Sequence, residues 1–203
     1  MPRDAVLIPL KSFSIAKKRL RQNGATDVSA LAERLARGVL RACRPRTIFV
    51  LGESEDVDTF AQSQGVGYWP TPTPTPGLNA TVAGAYRSLG ADFDRLIIVH
   101  GDLHAPEGLG TFDPDQGITI VTDHHQRGTN VLVLPTGLDF HFSYGPDSKN
   151  LHESEARRLG LPYRIVANSS WSLDIDEPDD LILGLESIRG GLEAPSNARP
   201  RTD

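Results

Sequence analysis

Apolar residues along this chain fall into short runs that alternate with stretches of helical spacing. Ala5-Val6-Leu7-Ile8-Pro9-Leu10 predicts a buried first strand closed by proline, followed by a basic loop over 11–20. Thr47-Ile48-Phe49-Val50-Leu51-Gly52 predicts a second strand, and further strands are expected at 66–69, 96–102, 118–122, 130–134, 163–166 and 173–176. Between them, Leu31, Leu35, Val39 and Leu40 share one helical face over 29–43, with Ser29 as a candidate N-cap. Helices are also expected at 56–64, 77–89 and 148–159. A last one starts at Pro178, a residue suited to the first turn, and runs to about 188. Strands alternating with helices predict an α/β fold around a largely parallel sheet. One domain over residues 1–189 accommodates all these elements, and the Gly-, Pro-, Ser- and Arg-rich residues 190–203 are expected to be a disordered tail.

In such sheets ligands bind beyond the carboxyl ends of the strands. Three aspartates fall there. Asp102 closes the run Leu96-Ile97-Ile98-Val99-His100-Gly101-Asp102, and Asp174 and Asp176 stand in Leu173-Asp174-Ile175-Asp176-Glu177-Pro178. Side chains two apart on an extended segment point the same way, so Asp174 and Asp176 share a face. A carboxylate among apolar residues is costly unless neutralised. Each aspartate taken singly reads equally well as a turn or helix cap. Together they favour a hard divalent cation such as Mg²⁺, which is held by carboxylates and substrate phosphates.

Composition narrows the partners. The chain has 203 residues, 38% hydrophobic and 23% charged, enough for a substantial core. Its net charge of -5 argues against general nucleic-acid binding. Cys43 is the single cysteine, which excludes an internal disulfide and a cysteine-rich zinc site; it is expected to be a small buried hydrophobe. No signal peptide is expected from the first residues, and no run approaches the ~18 apolar residues that span a bilayer. A cytoplasmic protein without membrane association is the expectation.

The basic loop carries Lys11, Lys17, Lys18, Arg19 and Arg21, and it lacks both the Gly-x-Gly-x-x-Gly and the Walker signatures. Its place after the first strand points to phosphate, with Lys11 and Arg19 foremost; the alternative is a solvated helix face. Gly128-Thr129-Asn130 and Gly145-Pro146-Asp147-Ser148 each pair a glycine with a nearby hydroxyl. Ser148 is expected at a helix N-terminus, where free N–H groups suit an anion, although a plain N-cap is the simpler reading. His152 lies one turn further on. His124 and His125 receive no role, and His104, close after Asp102, is a candidate to face the site. Residues 70–76, Pro-Thr-Pro-Thr-Pro-Thr-Pro, predict an extended, rigid path.

These segments together resemble the CofC/FbiD family, the guanylyltransferases of deazaflavin coenzyme F-420 biosynthesis. The resemblance rests on Ile8-Pro9-Leu10-Lys11 with Ala16-Lys17-Lys18-Arg19-Leu20, on Gly77-Leu78-Asn79, His100-Gly101-Asp102-Leu103 and Gly128-Thr129-Asn130, on Phe142-Ser143-Tyr144-Gly145-Pro146-Asp147-Ser148 with His152, and on residues 173–181. It implies a nucleotide-diphospho-sugar transferase-like (Rossmann-like) three-layer sandwich with a mostly parallel mixed sheet. It also implies GMP transfer from GTP to phosphoenolpyruvate, 2-phospho-L-lactate or 3-phospho-D-glycerate, with release of pyrophosphate. By the same resemblance Asp102, Asp174 and Asp176 hold two Mg²⁺ ions and carry catalysis. Thr129, Gly145 and Ser148, with His152, bind the phospho-acid; Lys11, Lys17, Arg19, Gly77, Leu78 and Asn79 bind the nucleotide. The next enzyme of the pathway, which takes the labile product, is an expected partner. The chain departs from the family in having His104 where proline commonly follows the Gly-Asp-Leu segment. Competing readings are a molybdopterin or sugar-phosphate nucleotidyltransferase, a glycosyltransferase, and a non-catalytic nucleotide-binding module.

Overall fold

The computed structural model describes residues 3–71, 77–114 and 116–190. Among the described residues, seven strands form one sheet in the order β3-β2-β1-β4-β6-β5-β7. They are β1 (Asp4–Pro9), β2 (Thr47–Gly52), β3 (Gly67–Pro70), β4 (Arg95–Val99), β5 (Ile118–Thr122), β6 (Thr129–Pro135) and β7 (Tyr163–Val166). β1 runs parallel to β2 and β4, β2 to β3, and β5 to β7, whereas β6 lies antiparallel between β4 and β5. The helices are α1 (Lys18–Gln22), α2 (Val28–Cys43), α3 (Glu55–Gln64), α4 (Gly77–Leu89), α5 (Ser148–Arg158) and α6 (Pro178–Gly190).

Strand alternation sorts the core into two layers. Val6, Ile8, Ile97, Val99, Val131 and Val133 face one side, under Ala36, Val39 and Leu40 of α2 and Val57 and Phe60 of α3. Ala5, Leu7, Leu96, Ile98, Leu132 and Leu134 face the other, under Val82, Ala85 and Tyr86 of α4 and Ala156 of α5. β4 and β6 are therefore buried on both faces, as sheets covered by helices on each side require. The predicted α/β sandwich is thus the observed architecture.

Several local expectations are corrected. The basic loop contains α1, a short helix whose single fully buried residue is Leu20. α2 starts at Val28 after Asp27 in the left-handed region (φ 53), so Ser29 is not its cap. Ser29 instead donates to the Phe13 carbonyl at 2.9 Å and accepts from Arg21 at 2.8 Å. β4 ends at Val99, three residues short of Asp102. Residues 173–176 make no strand; Leu173 enters from a 3-10 turn (Ser170–Ser172), and Asp174 forms one isolated antiparallel bridge with Leu103. Cys43 is fully buried as expected, and burial pushes its thiol up to about 12. The predicted tail over 191–203 and most of the Pro-Thr run, 72–76, lie outside the described residues.

The connection from β4 to β5 packs tightly against the end of α2. The Gly110 N–H donates to the Ala42 carbonyl at 2.7 Å, and a Cβ on Gly110 would stand 1.9 Å from the Arg44 carbonyl oxygen. Backbone on both sides leaves nothing to step aside. Gly110→Ala is expected to cost on the order of 3 kcal/mol in urea unfolding, as overpacking does in a rigid site. Wild-type stability in that variant would show that the connection yields.

Candidate functional site

The site lies past the carboxyl ends of β1 and β4, and three features of local structure assemble it. The first is the turn after β4. Gly101 passes so close to Leu10 that a Cβ would meet the Leu10 side chain at 2.2 Å, and this approach delivers Asp102 to the cleft. The second is the bridge. The Ile175 N–H donates to the Asp102 carbonyl at 3.1 Å, and the His104 N–H donates to the Leu173 carbonyl at 2.8 Å. Segments more than 70 residues apart are thereby locked side by side. The third is the start of α6, with Pro178 as its first residue. Asp180 there accepts the Asp176 and Glu177 N–H groups at 2.8 and 2.7 Å, the return half of a capping box. Asp180 fixes the backbone of Asp176 and leaves the Asp176 carboxylate facing the cleft.

That cleft holds about 360 Å³ and is lined on its polar side by Lys11, Lys17, Glu53, His100, Asp102, Asp174 and Asp176, with Gly77 and Leu78 at the start of α4. The volume is in the range of small-molecule sites. Lys17 is the central cation: its side chain is only 5% exposed, and Nζ bonds both Asp102 Oδ2 and, at 2.9 Å, Asp176 Oδ1. Burial by itself would lower the Lys17 pKa; the charges of Asp102 and Asp176 outweigh that and raise it, so the ammonium is kept. Asp174 is pushed up by burial and then by the Asp102 charge. For Asp176 burial pulls upward, but Lys17 wins and the pKa falls. Asn130 steadies Asp174 by donating to its Oδ1 at 3.2 Å, and it also donates to the Trp171 carbonyl at 3.1 Å.

His100, Asp102 and Asp174 offer ligand atoms that all lie within 4.8 Å of one another. Among the described residues, Asp102 Oδ1 and His100 Nε2 are buried with no hydrogen-bond partner. Buried polar atoms are normally satisfied, and a bound cation would satisfy these. The residues present thus fit a metal. His100 is a site residue that the sequence does not single out: β4 ends at Val99 and a turn covers Gly101 and Asp102, so its meeting with Asp102 and Asp174 is set by the fold.

The other predicted residues are distributed as follows. Lys11, Gly77 and Leu78 line the cleft. Arg19 is exposed and pairs with Glu177 at 2.9 Å outside it. Asn79 spends both amide functions on Tyr144, donating to its carbonyl at 3.1 Å and accepting its N–H at 2.6 Å. Thr129, Ser148 and His152 form a buried hydrogen-bonded cluster, with Thr129 Oγ1 3.0 Å from His152 Nδ1 and Ser148 Oγ 3.3 Å from Thr129 Oγ1. His152 Nε2 accepts the Ser143 N–H at 3.0 Å. The cluster does not line the cleft; it reaches His100 through Tyr144, whose ring centroid is 4.9 Å from His152 and 5.7 Å from His100. At the start of α5 the N–H groups of Ser148, Lys149 and Asn150 bond the Gly145, Arg127 and Asp147 carbonyls, so they do not form the open anion cup expected there. Gly145 sits just before them, exposed and at φ 128. His104 faces away, its ring against Gly184 of α6 in a groove with Leu103 and Pro106.

His152 makes the cluster sensitive to acid. Burial, then the nearby His100, push its pKa from 6.5 down to about 4, against a weaker upward pull from Glu155. Between pH 6.5 and 4 the unfolded chain binds a proton here that the folded chain refuses. This contribution to stability is complete above pH 6.5 and is lost as pH falls toward 4. The loss approaches about 3 kcal/mol. His152→Gln is expected to flatten urea-derived stability across that range; an unchanged slope would place the titration elsewhere.

Residues 4–188 match the family model described as guanylyl transferase CofC like. A phosphoenolpyruvate guanylyltransferase from Conexibacter woesei is 35% identical over 208 residues, spanning 91% of this chain and 90% of that protein. Another from Chloroflexus aggregans is 29% identical over 193 residues, spanning 87% and 94%. Among solved structures, a candidate nucleotide-diphospho-sugar transferase from Desulfovibrio desulfuricans superposes with a TM-score of 0.70 at 13% identity, covering 94% of this chain and 90% of that one. At that identity the structural likeness speaks to fold alone.

Proposed function

This chain belongs to the CofC-like guanylyl transferases, and on that premise we propose that it transfers GMP from GTP to phosphoenolpyruvate. A phosphate oxygen of the acceptor attacks the α-phosphorus of GTP, the bond to the β-phosphate oxygen breaks, and pyrophosphate leaves. The observation that carries this reading is the union at one strand-end cleft of Asp102, Asp174 and Asp176 with the buried ammonium of Lys17. Transfer of this kind works by positioning and electrostatics and needs no protein nucleophile.

Lys17 and Lys11 supply positive charge to the triphosphate, and the start of α4 at Gly77 and Leu78 borders the nucleotide. Arg19 reaches the phosphates only by leaving Glu177. Asp102, Asp174 and Asp176 would hold Mg²⁺, as two ions in our reading. When bound, the metal would neutralise polyphosphate charge and polarise the attacked phosphoryl group. Thr129, Ser148 and His152, with Gly145, serve the acceptor side by holding the 143–145 segment, and Asn79 pins the same segment from α4. The product would enter coenzyme F-420 biosynthesis in the cytoplasm, passing to the enzyme that consumes it.

The test is pyrophosphate release from GTP and Mg²⁺ with each of phosphoenolpyruvate, 2-phospho-L-lactate and 3-phospho-D-glycerate. Phosphoenolpyruvate is expected to give the highest kcat/KM. Turnover with a sugar phosphate and none with the three acids would overturn the proposal in favour of another nucleotidyltransferase of this fold.

A further inference from the structure

We infer that His100 supplies a nitrogen ligand to the divalent cation of this site, so that the position between His100, Asp102 and Asp174 favours Mn²⁺ or Co²⁺ over Mg²⁺. This deepens the reading of the cleft as a metal-assisted guanylyl-transfer site and rests on it. The two oxygens of Asp102 are in different states. Oδ2 is taken by Lys17, which also holds Asp176. Oδ1 is buried and, among the described residues, unpartnered, as is His100 Nε2. Asp102 therefore borders two cation positions: one held by the Lys17 ammonium, which the second of the two proposed ions would displace, and one bounded by His100, Asp102 and Asp174, whose ligand atoms gather within 4.8 Å.

A histidine buried for structure alone ordinarily finds partners for its ring nitrogens. His100 is instead held by other means, which leaves Nε2 available. Its backbone N–H donates to the Asn130 carbonyl at 2.9 Å, and its ring packs near Tyr144. The Asn130 side chain, in turn, bonds Asp174 Oδ1 at 3.2 Å. Asn130 thus orients the Asp174 carboxylate, as outer partners of metal ligands do, and ties down the backbone that carries His100. An all-oxygen set suits Mg²⁺, whereas imidazole shifts preference toward later divalent metals.

The experiment titrates Mn²⁺ alone into the full chain and follows the bound ion by electron paramagnetic resonance, with echo-envelope modulation to detect a coordinated nitrogen. Wild type is expected to show nitrogen coupling. His100→Gln is expected to lose it and to bind Mn²⁺ about tenfold or more weakly, on the scale at which metal sites respond to loss of a partner. Mg²⁺ affinity is expected to fall less. His100→Asn serves as the second variant, and melting temperatures verify that each remains folded. Bound Mn²⁺ without nitrogen coupling, or coupling that survives both substitutions, would overturn the role of His100 while leaving the carboxylate site intact. Failure of the wild type to bind Mn²⁺, with or without GTP, would overturn the metal reading and this inference together.

Discussion

Asp102→Asn is expected to lower kcat/KM for guanylyl transfer by about a thousandfold or more, a loss of roughly 4 kcal/mol of transition-state stabilisation, while the chain stays folded. Asp102 is the member that every part of the site shares. It contacts Lys17 through one oxygen, presents the other toward His100 and Asp174, and is delivered by the Gly101 turn and the Leu103–Asp174 bridge. Asparagine keeps the shape and one oxygen but removes the charge, so the backbone pairing with Ile175 survives. Lys17 keeps Asp176 as a partner. Pyrophosphate release measured beside the melting temperature separates chemistry from folding. Activity within tenfold of wild type, in a folded variant, would remove the carboxylate from the reaction. Asp176→Asn is expected to act in the same direction, since it removes the charge of the other partner of Lys17.

The sheet and the facing pair Asp174 and Asp176 were legible because both rest on local periodicity. Runs such as 96–99 and 130–134 have too little polar character to sit anywhere but between two helical layers, and i, i+2 spacing places two side chains together without knowledge of the fold. What stayed hidden depends on pairing between distant segments. Nothing near Lys17 in sequence says that its ammonium meets carboxylates 85 and 159 residues away. α1 was unreadable because it buries Leu20 alone and has no apolar stripe. The Leu103–Asp174 bridge joins segments more than 70 residues apart, a pairing that periodicity does not encode. Thr129, Ser148 and His152 could be grouped by kinship, but their closure into a buried hydrogen-bonded cluster is a tertiary fact. His104 shows the limit of adjacency: two residues beyond Asp102, it lies on the far side of the bridge, against α6.

Lys17→Met is expected to divide stability by cation supply. Lys17 adopts the left-handed region (φ 58), which costs a non-glycine residue on the order of 1 kcal/mol. Its contacts with Asp102 and Asp176 offset that cost. Methionine retains the apolar stem and the backbone cost but loses the ammonium, leaving Asp102, Asp174 and Asp176 to repel one another in a partly buried cleft. Breaking a fully buried pair costs about 3–5 kcal/mol. Asp176 is 48% exposed, so solvent screening reduces the expected penalty to about 2 kcal/mol. That penalty should appear in chelator and shrink as Mg²⁺ is added, because a divalent cation takes over the role of the ammonium. The wild type, which carries its own counter-charge, should gain less from Mg²⁺. Activity behaves oppositely: kcat/KM is expected to fall about a hundredfold even in saturating Mg²⁺, since the triphosphate loses a positioned charge. Equal stability of variant and wild type in chelator, with no differential response to Mg²⁺, would reduce the Lys17 contacts to an energetically idle pair.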